Sequence, residues 1–387
     1  MTDGYPHLAF RRHWDVSPKA RYQLGQCHAI ILAVCQMPLR PEDRDRLLGV
    51  SLVRGAQATT AIEGNTLTTR EIERVAAGES LPPSKEYQEI EVRNVLEAMN
   101  GLLVEVATER EGQPISPEFI LRLHGMIGKD LGPHFDAVPG RFRTDDRVVG
   151  PYKCPAPELV PSLVDHLCAW LAEEFLFNTG EQPFADAVVQ AIITHVYIEW
   201  IHPFGDGNGR TGRLLEFYVL LRAGTPDIAS HILANLYNDT RPEYYRQLEQ
   251  AAKTRTLTGF IDYAVQGFRD GLMETLEGIQ RGQFEIAWRG FIYDRFAELG
   301  YTKKNVFKRR RELMLSFPVG HDLTLDDIAL LTPSLARSYA RLSERTLVRD
   351  LEVLEEMDLI AKTGDRYRAC GDALSLRIPW RLPIELR

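Results

Sequence analysis

Residues 201–213 hold the densest group of side chains able to do chemistry, and they read Ile-His-Pro-Phe-Gly-Asp-Gly-Asn-Gly-Arg-Thr-Gly-Arg. Three glycines at alternate positions, Gly205, Gly207 and Gly209, give the backbone freedom to turn several N–H groups toward one point. The apolar run that follows predicts a helix, so these donors lie at a helix N-terminus, which favours a bound phosphate. The segment therefore predicts an anion site.

Four side chains add charge and acid–base chemistry to this anion site. Arg210 and Arg213 are three residues apart, share a face in the first helical turn and can clamp further phosphates. Asp206 is a hard oxygen ligand suited to Mg²⁺ between phosphates. His202 lies just outside, where a general base meets a nucleophile, and an unshifted pKa of ~6.5 suits that role near neutral pH. A glycine-rich turn with solvated charges is the alternative, but it explains few of these residues together.

The segment resembles, without a departure, the motif His-Pro-Phe-x-Asp-Gly-Asn-Gly-Arg-x-x-Arg of Fic proteins. The resemblance implies a mainly α fold: a Fic-type helical core with a β-hairpin flap, plus a small C-terminal winged helix-turn-helix. It also implies a protein adenylyltransferase, which moves AMP from Mg-ATP to a Ser, Thr or Tyr hydroxyl of a protein. That target can be the chain itself.

The same resemblance assigns a role to each residue of the motif. His202 would take the proton of the attacking hydroxyl, and Asp206 would hold Mg²⁺. Arg210 would bind the β-phosphate side of ATP and Arg213 the γ-phosphate. Backbone donors for the α- and β-phosphates are expected at Gly207, Asn208 and Gly209.

A second short motif lies upstream, at the end of a helix predicted over residues 43–64. A carboxylate at a helix C-terminus has the wrong charge for the helix dipole, which suggests that Glu63 has a specific cation to meet. The segment resembles the Fic inhibitory motif, Ser/Thr-x-x-x-Glu-Gly/Asn, with Thr59 and Glu63 in the matching places. The resemblance implies that Glu63 pairs with Arg213 and pushes the γ-phosphate of ATP out of its productive position.

Residues 139–151 predict a β-hairpin in an otherwise helical region. A lone hairpin is marginally stable, so its edge is available to another chain. The hairpin resembles the Fic flap, and the resemblance implies that Val148 and Val149 hold the target peptide by β-augmentation. A plain surface connector is the alternative.

A later helix carries Tyr245 and Leu248, which the family resemblance places beside the adenine ring of ATP. An adenine needs flat apolar cover, but plain core packing explains the two residues equally well. Ala252 stands where relatives often have an Asn, a difference that bears on base discrimination.

The motif directly follows a predicted helix from Ala185 to Ile201, which is apolar on nearly every side. Such a helix belongs in the centre of a domain, and it gives the catalytic loop a rigid support. His195 on this helix is expected to be a satisfied core histidine. Phe204, amid polar neighbours, is expected to pin the loop to the core.

The chain divides into three predicted regions: an N-terminal helical region with the inhibitory helix (1–110), a Fic catalytic core (111–285), and a linker helix with a winged-helix domain (286–387). From residue 301 onward the formal charge is +3, against −11 for the first 300 residues. A basic module on an acidic body indicates a different partner. DNA phosphates could be met by the run 308–311 and by Arg341, Arg345, Arg349, Arg366 and Arg368. Against DNA, acidic residues crowd the presumed recognition helix, and such modules also serve docking or homodimer formation.

Composition indicates a cytoplasmic globular protein with no membrane partner. The 387 residues are 44% hydrophobic and 26% charged, and no apolar run reaches the ~20 residues that span a bilayer. The five cysteines are scattered and lack C-x-x-C spacing, which favours thiols in a reducing cytosol over disulfides or a zinc site.

Two other functions remain open from the sequence. In one, the protein is a phosphodiesterase that removes AMP from a modified protein, and Glu63 orients the water. In the other, it is a nucleotide-sensing DNA-binding regulator. The intact His202 argues against a regulator, because a sensor needs the phosphate site but not the base.

Overall fold

The structure, a computed structural model, describes residues 4–108, 114–175, 183–298, 304–371 and Leu374. The chain forms two compact units, Met1–Glu277 and Gly278–Arg387. The predicted boundary between residues 110 and 111 lies outside the described residues. The predicted boundary after residue 285 falls in the same long helix that contains the division between the units.

Helices make up most of the first unit. They are α1 (Pro18–Gln36), α2 (Pro41–Ala61), α3 (Thr69–Ala76), α4 (Glu86–Thr108), α5 (Pro117–Ile127), α6 (Val160–Glu174), α7 (Pro183–Ile201), α8 (Asn208–Arg222), α9 (Ile232–Asp239), α10 (Arg241–Thr254) and α11 (Thr258–Glu298), which runs past the end of the unit. Two short antiparallel strands, β1 (Val148–Val149) and β2 (Tyr152–Lys153), form a hairpin that turns at Gly150 and Pro151, so β2 lies just beyond the range of 139–151 predicted for the hairpin. The fold is mainly α, as the sequence predicts.

Local capping signals start two of these helices. Thr68 accepts from the backbone of Glu71, whose carboxylate bonds back to Thr68, and this capping box opens α3. Ser116 accepts from Phe119 N and caps α5, with Pro117 at the first helical position. Helices α3 and α5 are therefore specified locally.

Helix α2 ends earlier than predicted, at Ala61, so that Glu63 lies in the turn that follows the helix. Gly64 has φ +102° and donates to Ala61 O at 3.0 Å, while Asn65 N donates to Thr60 O at 3.1 Å. These two bonds are a Schellman ending. The reversal releases Glu63 from the helix and turns the chain toward α4.

The centre of the first unit is the pair α7 and α8, which pack most extensively on each other. By length and hydropathy alone, Phe184–Ile201 could cross a membrane, but 78% of that window is buried inside the protein. His195, at the middle of α7, is fully buried with Nε2 at 2.9 Å from the Tyr244 hydroxyl, as predicted for a core histidine. The motif thus directly follows a helix whose residues are mostly buried.

Within its described residues, the second unit combines the end of α11 and four further helices with a three-stranded sheet. Its elements are α12 (Lys304–Ser316), β3 (Asp322–Leu323), α13 (Leu325–Ala329), α14 (Pro333–Tyr339), α15 (Glu344–Glu356), β4 (Ile360–Thr363) and β5 (Arg366–Ala369). The antiparallel sheet has the order β3-β5-β4. Gly364, at φ +64°, turns the β4–β5 hairpin that the sequence predicts. The winged helix-turn-helix assignment of this unit stays a prediction.

Candidate active site

His202 is the first residue after α7 and has a left-handed backbone, with φ +50°. Its N–H still donates to Ile198 O at 2.9 Å, so the residue is fixed to the end of the helix. Burial lowers the pKa of His202 to about 4, and the backbone carbonyl of Glu199 offsets this only in part. The expectation of an unshifted pKa is therefore wrong, because the side chain is far less hydrated than the sequence suggests. The ring is neutral at pH 7 and able to accept a proton.

The loop between α7 and α8 is held by two side chains. The Asn208 amide donates to Phe204 O and accepts from Phe204 N, both at 2.9 Å. Phe204 is fully buried and stacks on His124 with ring centroids 3.6 Å apart, which confirms that it pins the loop. His124 Nε2 lies 3.0 Å from Asp206 O. The loop shape is thus set by the core.

Two glycines of the motif are required by their surroundings. Gly207 caps α8 at φ +79°, where a Cβ would lie 3.0 Å from the Phe135 ring. Gly209 is in the first turn of α8, and a Cβ there would lie 2.3 Å from Glu63 Oε1. The N-terminus of α8 is therefore free of side-chain bulk on the side that faces Glu63. This geometry suits an anion at the helix end.

Arg213 and Glu63 form the ion pair that the family resemblance implies. Arg213, 1% exposed, donates from Nη2 to Glu63 Oε1 at 2.5 Å and to Thr59 O at 2.9 Å. Burial raises the pKa of Glu63, but Arg213 and Arg210 lower it more, so the net shift is downward and Glu63 is ionised at pH 7. Thr59 contributes its carbonyl, and its buried hydroxyl has no hydrogen-bond partner among the described residues.

Arg213 has more hydrogen-bonding capacity than Glu63 uses. Within the described part of the chain, its Nε and Nη1 are buried and without a partner. Buried N–H groups are nearly always bonded, and the two lone donors leave room for a second acceptor.

Arg210 is also buried and engaged by carboxylates. It donates to Glu91 and, at 2.6 Å, to Asp206 Oδ1, and its guanidinium lies 5.4 Å from the centre of the Phe135 ring. Asn65, two residues after Glu63, donates to the other oxygen of Glu91 at 2.7 Å. Both arginines of the motif are thus paired with acids of the protein.

Two further acids interact with Arg213 from within the core. Burial, and after it the negative charge of Glu63, raise the pKa of Glu199 to about 7. Burial also raises the pKa of Glu216, which accepts from the Tyr237 hydroxyl at 2.7 Å. These acids are therefore poor counter-ions at neutral pH, and Glu63 is the main anion that balances Arg213.

The hairpin that resembles a flap exposes the predicted residues. Val148 pairs with Lys153 and Val149 with Tyr152, and the valines are 65% and 43% exposed. Arg143, just before the hairpin, donates from Nε to His202 O at 2.7 Å. The hairpin and the base are thus tied together, while the target-binding role of the valines stays a prediction.

Tyr245 and Leu248 lie one turn apart on α10. Tyr245 is 46% exposed and Leu248 is partly buried, so neither is plain core. Arg241, at the start of α10, donates to Ile62 O and has its guanidinium 5.9 Å from the centre of the Tyr245 ring. The start of α10 is therefore bound to the turn that carries Glu63. Contact with adenine remains a prediction.

The structure brings together two groups of residues that are far apart in the sequence. Thr59 and Glu63 form one group, and Asp206, Arg210 and Arg213 form the other. Sequence reasoning missed several residues that hold the site: Asn65, Glu91, His124, Arg143 and Arg241. Each is a polar residue whose partner is a distant backbone group or acid, and no local pattern marks such a pair. The sequence does not mark Glu91 either, because α4 carries several other acids.

Comparison with known proteins agrees with this geometry. The model of the Fic/DOC family matches residues 114–220. A protein adenylyltransferase fic-1 of Caenorhabditis elegans is 30% identical over 208 residues, which are 54% of this chain and 38% of that protein. A probable protein adenylyltransferase of Aquifex aeolicus is 28% identical over 251 residues, 63% of this chain and 64% of that protein.

A solved structure resembles nearly the whole chain. The Fic family protein from Desulfovibrio desulfuricans G20 has a TM-score of 0.56 and 22% identity, and the match covers 93% of this chain and 98% of that one. At this identity the likeness shows the fold. The chain matches 38% of the length of the worm relative, and the family match over residues 114–220 contains the whole motif. Residues 114–220 are therefore a Fic/DOC family domain.

Proposed function

We propose that this protein transfers AMP from ATP to a hydroxyl group of a protein. One observation carries the proposal: the neutral base His202 and the buried, under-bonded Arg213 flank the bare N-terminus of α8. A base alone would suit many hydrolases, and an anion site alone would suit a sensor. The relatives named protein adenylyltransferase support the choice of AMP as the transferred group.

The reaction follows from the arrangement of these groups. A Ser, Thr or Tyr hydroxyl gives its proton to His202 as its oxygen attacks the α-phosphorus of ATP. The bond from that phosphorus to the bridging oxygen breaks, and pyrophosphate leaves. The negative charge of the phosphates raises the pKa of the neighbouring His202 and so makes it a stronger base than it is in the free protein.

Phosphate binding falls to the N-terminus of α8 and the two arginines. The backbone N–H groups of Asn208 and Gly209 belong to its first turn and have no acceptor within the helix. The N–H of Gly207 donates to the Asp206 carboxylate. Arg210 serves the β-phosphate and Arg213 the γ-phosphate. Tyr245 and Leu248 cover the adenine.

Asp206 fits a site for Mg²⁺. The ion is commonly held by one or two carboxylates together with substrate phosphates and water. Asp206 is part-exposed, and Oδ1 accepts from Arg210 at 2.6 Å, so Asp206 stands among the groups assigned to the phosphates. When bound, the ion would neutralise charge on the phosphates as pyrophosphate leaves.

Glu63 restrains this reaction. Glu63 Oε1 lies 2.5 Å from Arg213 Nη2, at the place assigned to the γ-phosphate. The Glu63 carboxylate and the γ-phosphate cannot both occupy that place, because like charges repel in a site with little water. ATP therefore binds in a non-productive position until Glu63 leaves.

Intact mass spectrometry after incubation with Mg-ATP tests this function. We expect a gain of one AMP on the protein in the Glu63→Gly variant, less in the wild type, and none when His202→Ala is added. Absence of any gain in Glu63→Gly, with ATP bound, would favour the nucleotide-sensing regulator. Loss in Glu63→Gly of an activity that removes AMP from the modified protein would make Glu63 catalytic and favour the phosphodiesterase.

For the second unit we propose contact with DNA through a smaller surface than the sequence suggests. Arg309 and Arg310 both pair with the buried Asp350 at 2.7 Å and are structural. Arg368 pairs with Asp322. Among the predicted contacts, Arg345 and Arg349 are exposed one turn apart on α15, with Arg341 just before the helix. Docking of a protein or of a second copy is the outcome if no duplex binds.

A further inference from the structure

The N-terminal arm, residues 4–17, contacts both the hairpin and the end of α7. The Tyr5 hydroxyl donates to Cys154 O at 2.8 Å, just after β2. His7 is buried, with Nε2 at 3.0 Å from the Tyr152 hydroxyl and its ring edge-on to Trp200 at 5.0 Å. The arm therefore holds β2 from the side of α7.

Tyr152 joins the arm to α7 through one hydroxyl. It donates to Trp200 O at 2.7 Å, so its oxygen accepts from His7 Nε2–H. Burial lowers the pKa of His7 to about 4, and a neutral ring has a single N–H, here at Nε2. The last carbonyls of a helix have no intrahelical donor. Phe204 N, the donor four residues on from Trp200, is bonded to Asn208 instead.

The carbonyl that Tyr152 binds is in the same last turn as His202. Arg143 secures the next part of that turn, since its Nε donates to His202 O at 2.7 Å and its N–H to Pro203 O at 3.0 Å. Arg143 Nη2 also donates to Pro155 O at 2.5 Å, beyond β2. Both ends of the hairpin are thus bonded to the backbone around the base.

We propose that Tyr152, held by His7 of the N-terminal arm, is a positioning residue that sets the hairpin relative to His202. The arm then contributes to target binding by holding the hairpin in place, although it contacts none of the reacting groups. The proposal rests on the transfer reaction proposed above, in which the hairpin holds the target and His202 takes the proton of its hydroxyl.

The short hairpin makes this dependence strong. Strands of two residues are marginal on their own, so the position of β2 depends on its tethers. Loss of His7 leaves the Tyr152 oxygen without its donor, and loss of the Tyr152 hydroxyl leaves Trp200 O unpaired, which is costly when buried. A displacement of about 1 Å in the bound hydroxyl can lower a rate by roughly 100-fold.

The experiment compares His7→Ala, Tyr152→Phe and His7→Gln in the Glu63→Gly protein. His13→Ala is the matched control, because His13 is in the same arm and contacts Tyr197 and Arg11 O. Hydrogen exchange of the amides at residues 148–154 reports the hairpin without any substrate. Incorporation of labelled AMP into the protein itself, at varied ATP, reports the maximal rate and the KM for ATP.

We expect His7→Ala and Tyr152→Phe each to speed hairpin exchange and to lower the maximal rate by about tenfold, as for one lost hydrogen bond. The KM for ATP should not change. The double variant that combines His7→Ala with Tyr152→Phe should have a maximal rate no lower than that of the slower of the two single variants. His7→Gln, which keeps a donor, should restore most of the rate. His13→Ala should match its parent.

Unchanged exchange and rate in His7→Ala and Tyr152→Phe would overturn the proposal. An equal loss in His13→Ala, with a raised KM for ATP, would also overturn it, because the arm would then act only on general stability. If the Glu63→Gly parent itself incorporates no AMP, the proposed function fails. Faster hairpin exchange in the arm variants would even then support the positioning contact.

Discussion

Asn65 donates its side-chain amide to one oxygen of Glu91 at 2.7 Å, while the other oxygen of Glu91 pairs with Arg210. Asn65 follows Glu63 by two residues, so the turn that carries the inhibitory carboxylate is tethered to the first arginine of the motif. Arg210, through Glu91 and Asn65, and Arg213, through Glu63, are thus both bonded to the same turn. A phosphate that draws Arg210 away from Glu91 would loosen the hold on Glu63 as well.

Asn65→Ala should therefore raise AMP incorporation by about tenfold, since a hydrogen bond to a charged group contributes roughly 1.5–3 kcal/mol. The same change in the Glu63→Gly protein should have no effect, because the inhibitory carboxylate is already gone. Incorporation of AMP from labelled ATP, measured for Asn65→Ala in the wild-type and in the Glu63→Gly protein, tests this prediction. An equal increase in both backgrounds would mean that Asn65 acts on something other than Glu63.

Glu63→Gly should activate transfer by tenfold or more, the ratio that corresponds to ~1.4 kcal/mol. Truncating one member of a buried pair normally costs roughly 3–5 kcal/mol, but Glu63 is part-exposed and the γ-phosphate can replace it. The thermal midpoint should therefore fall less with ATP than without. A folded variant no more active than wild type would contradict autoinhibition.

His202→Ala should lower transfer by ~10²–10⁴-fold, the usual contribution of a general base. ATP affinity should change little, because His202 acts on the attacking hydroxyl and the phosphates are bound by α8 and the arginines. Calorimetric titration and AMP incorporation measure the two effects separately. Undiminished transfer would rule out this base.

Lowering the pH should destabilise the protein, and this loss of stability should begin at a pH well above the one at which the ion pairs are lost. Burial lowers the pKa of four histidines to about 4: His7, His124, His202 and His231. Their unfolded pKa is ~6.5, so between these values the unfolded chain binds more protons than the folded one. The stabilisation is complete above pH ~6.5 and is lost as the pH falls toward 4. The lowered pKa of Glu63 acts only at lower pH still, below its ordinary value.

We therefore expect the midpoint of thermal unfolding to fall by several degrees from pH 7 to pH 5. His7→Gln, which removes one of these histidines, should show a smaller fall. Equal midpoints of the wild type at the two pH values would contradict the burial of these rings.

The second unit, if it binds duplex DNA, should lose affinity steeply with salt, with a slope of about −0.9 per phosphate neutralised. Arg345→Glu with Arg349→Glu should weaken binding further and reduce that slope by about 2. Arg21→Glu, the same charge change on α1, is the control. Failure of the wild type to bind any duplex at low salt would favour a docking or dimer role.

The sequence by itself determined the chemistry of residues 202–213, because the motif is local: its glycines, charges and following helix are all within one turn or two. It also determined the helix starts at Thr68 and Ser116, where the cap and its partner are three residues apart. The pairing of Glu63 with Arg213 came from the family resemblance, and the 2.5 Å contact confirms the pairing.

Only the tertiary structure decided what surrounds that motif. The tether from Asn65 through Glu91 to Arg210, and the line from His7 through Tyr152 to Trp200, join residues far apart in the chain. A hydrogen bond of this kind depends on two side chains that packing brings within 3 Å, and no spacing rule connects them. The low pKa of His202 has the same origin, because burial is set by every helix around α7 and not by the neighbours of the residue in sequence.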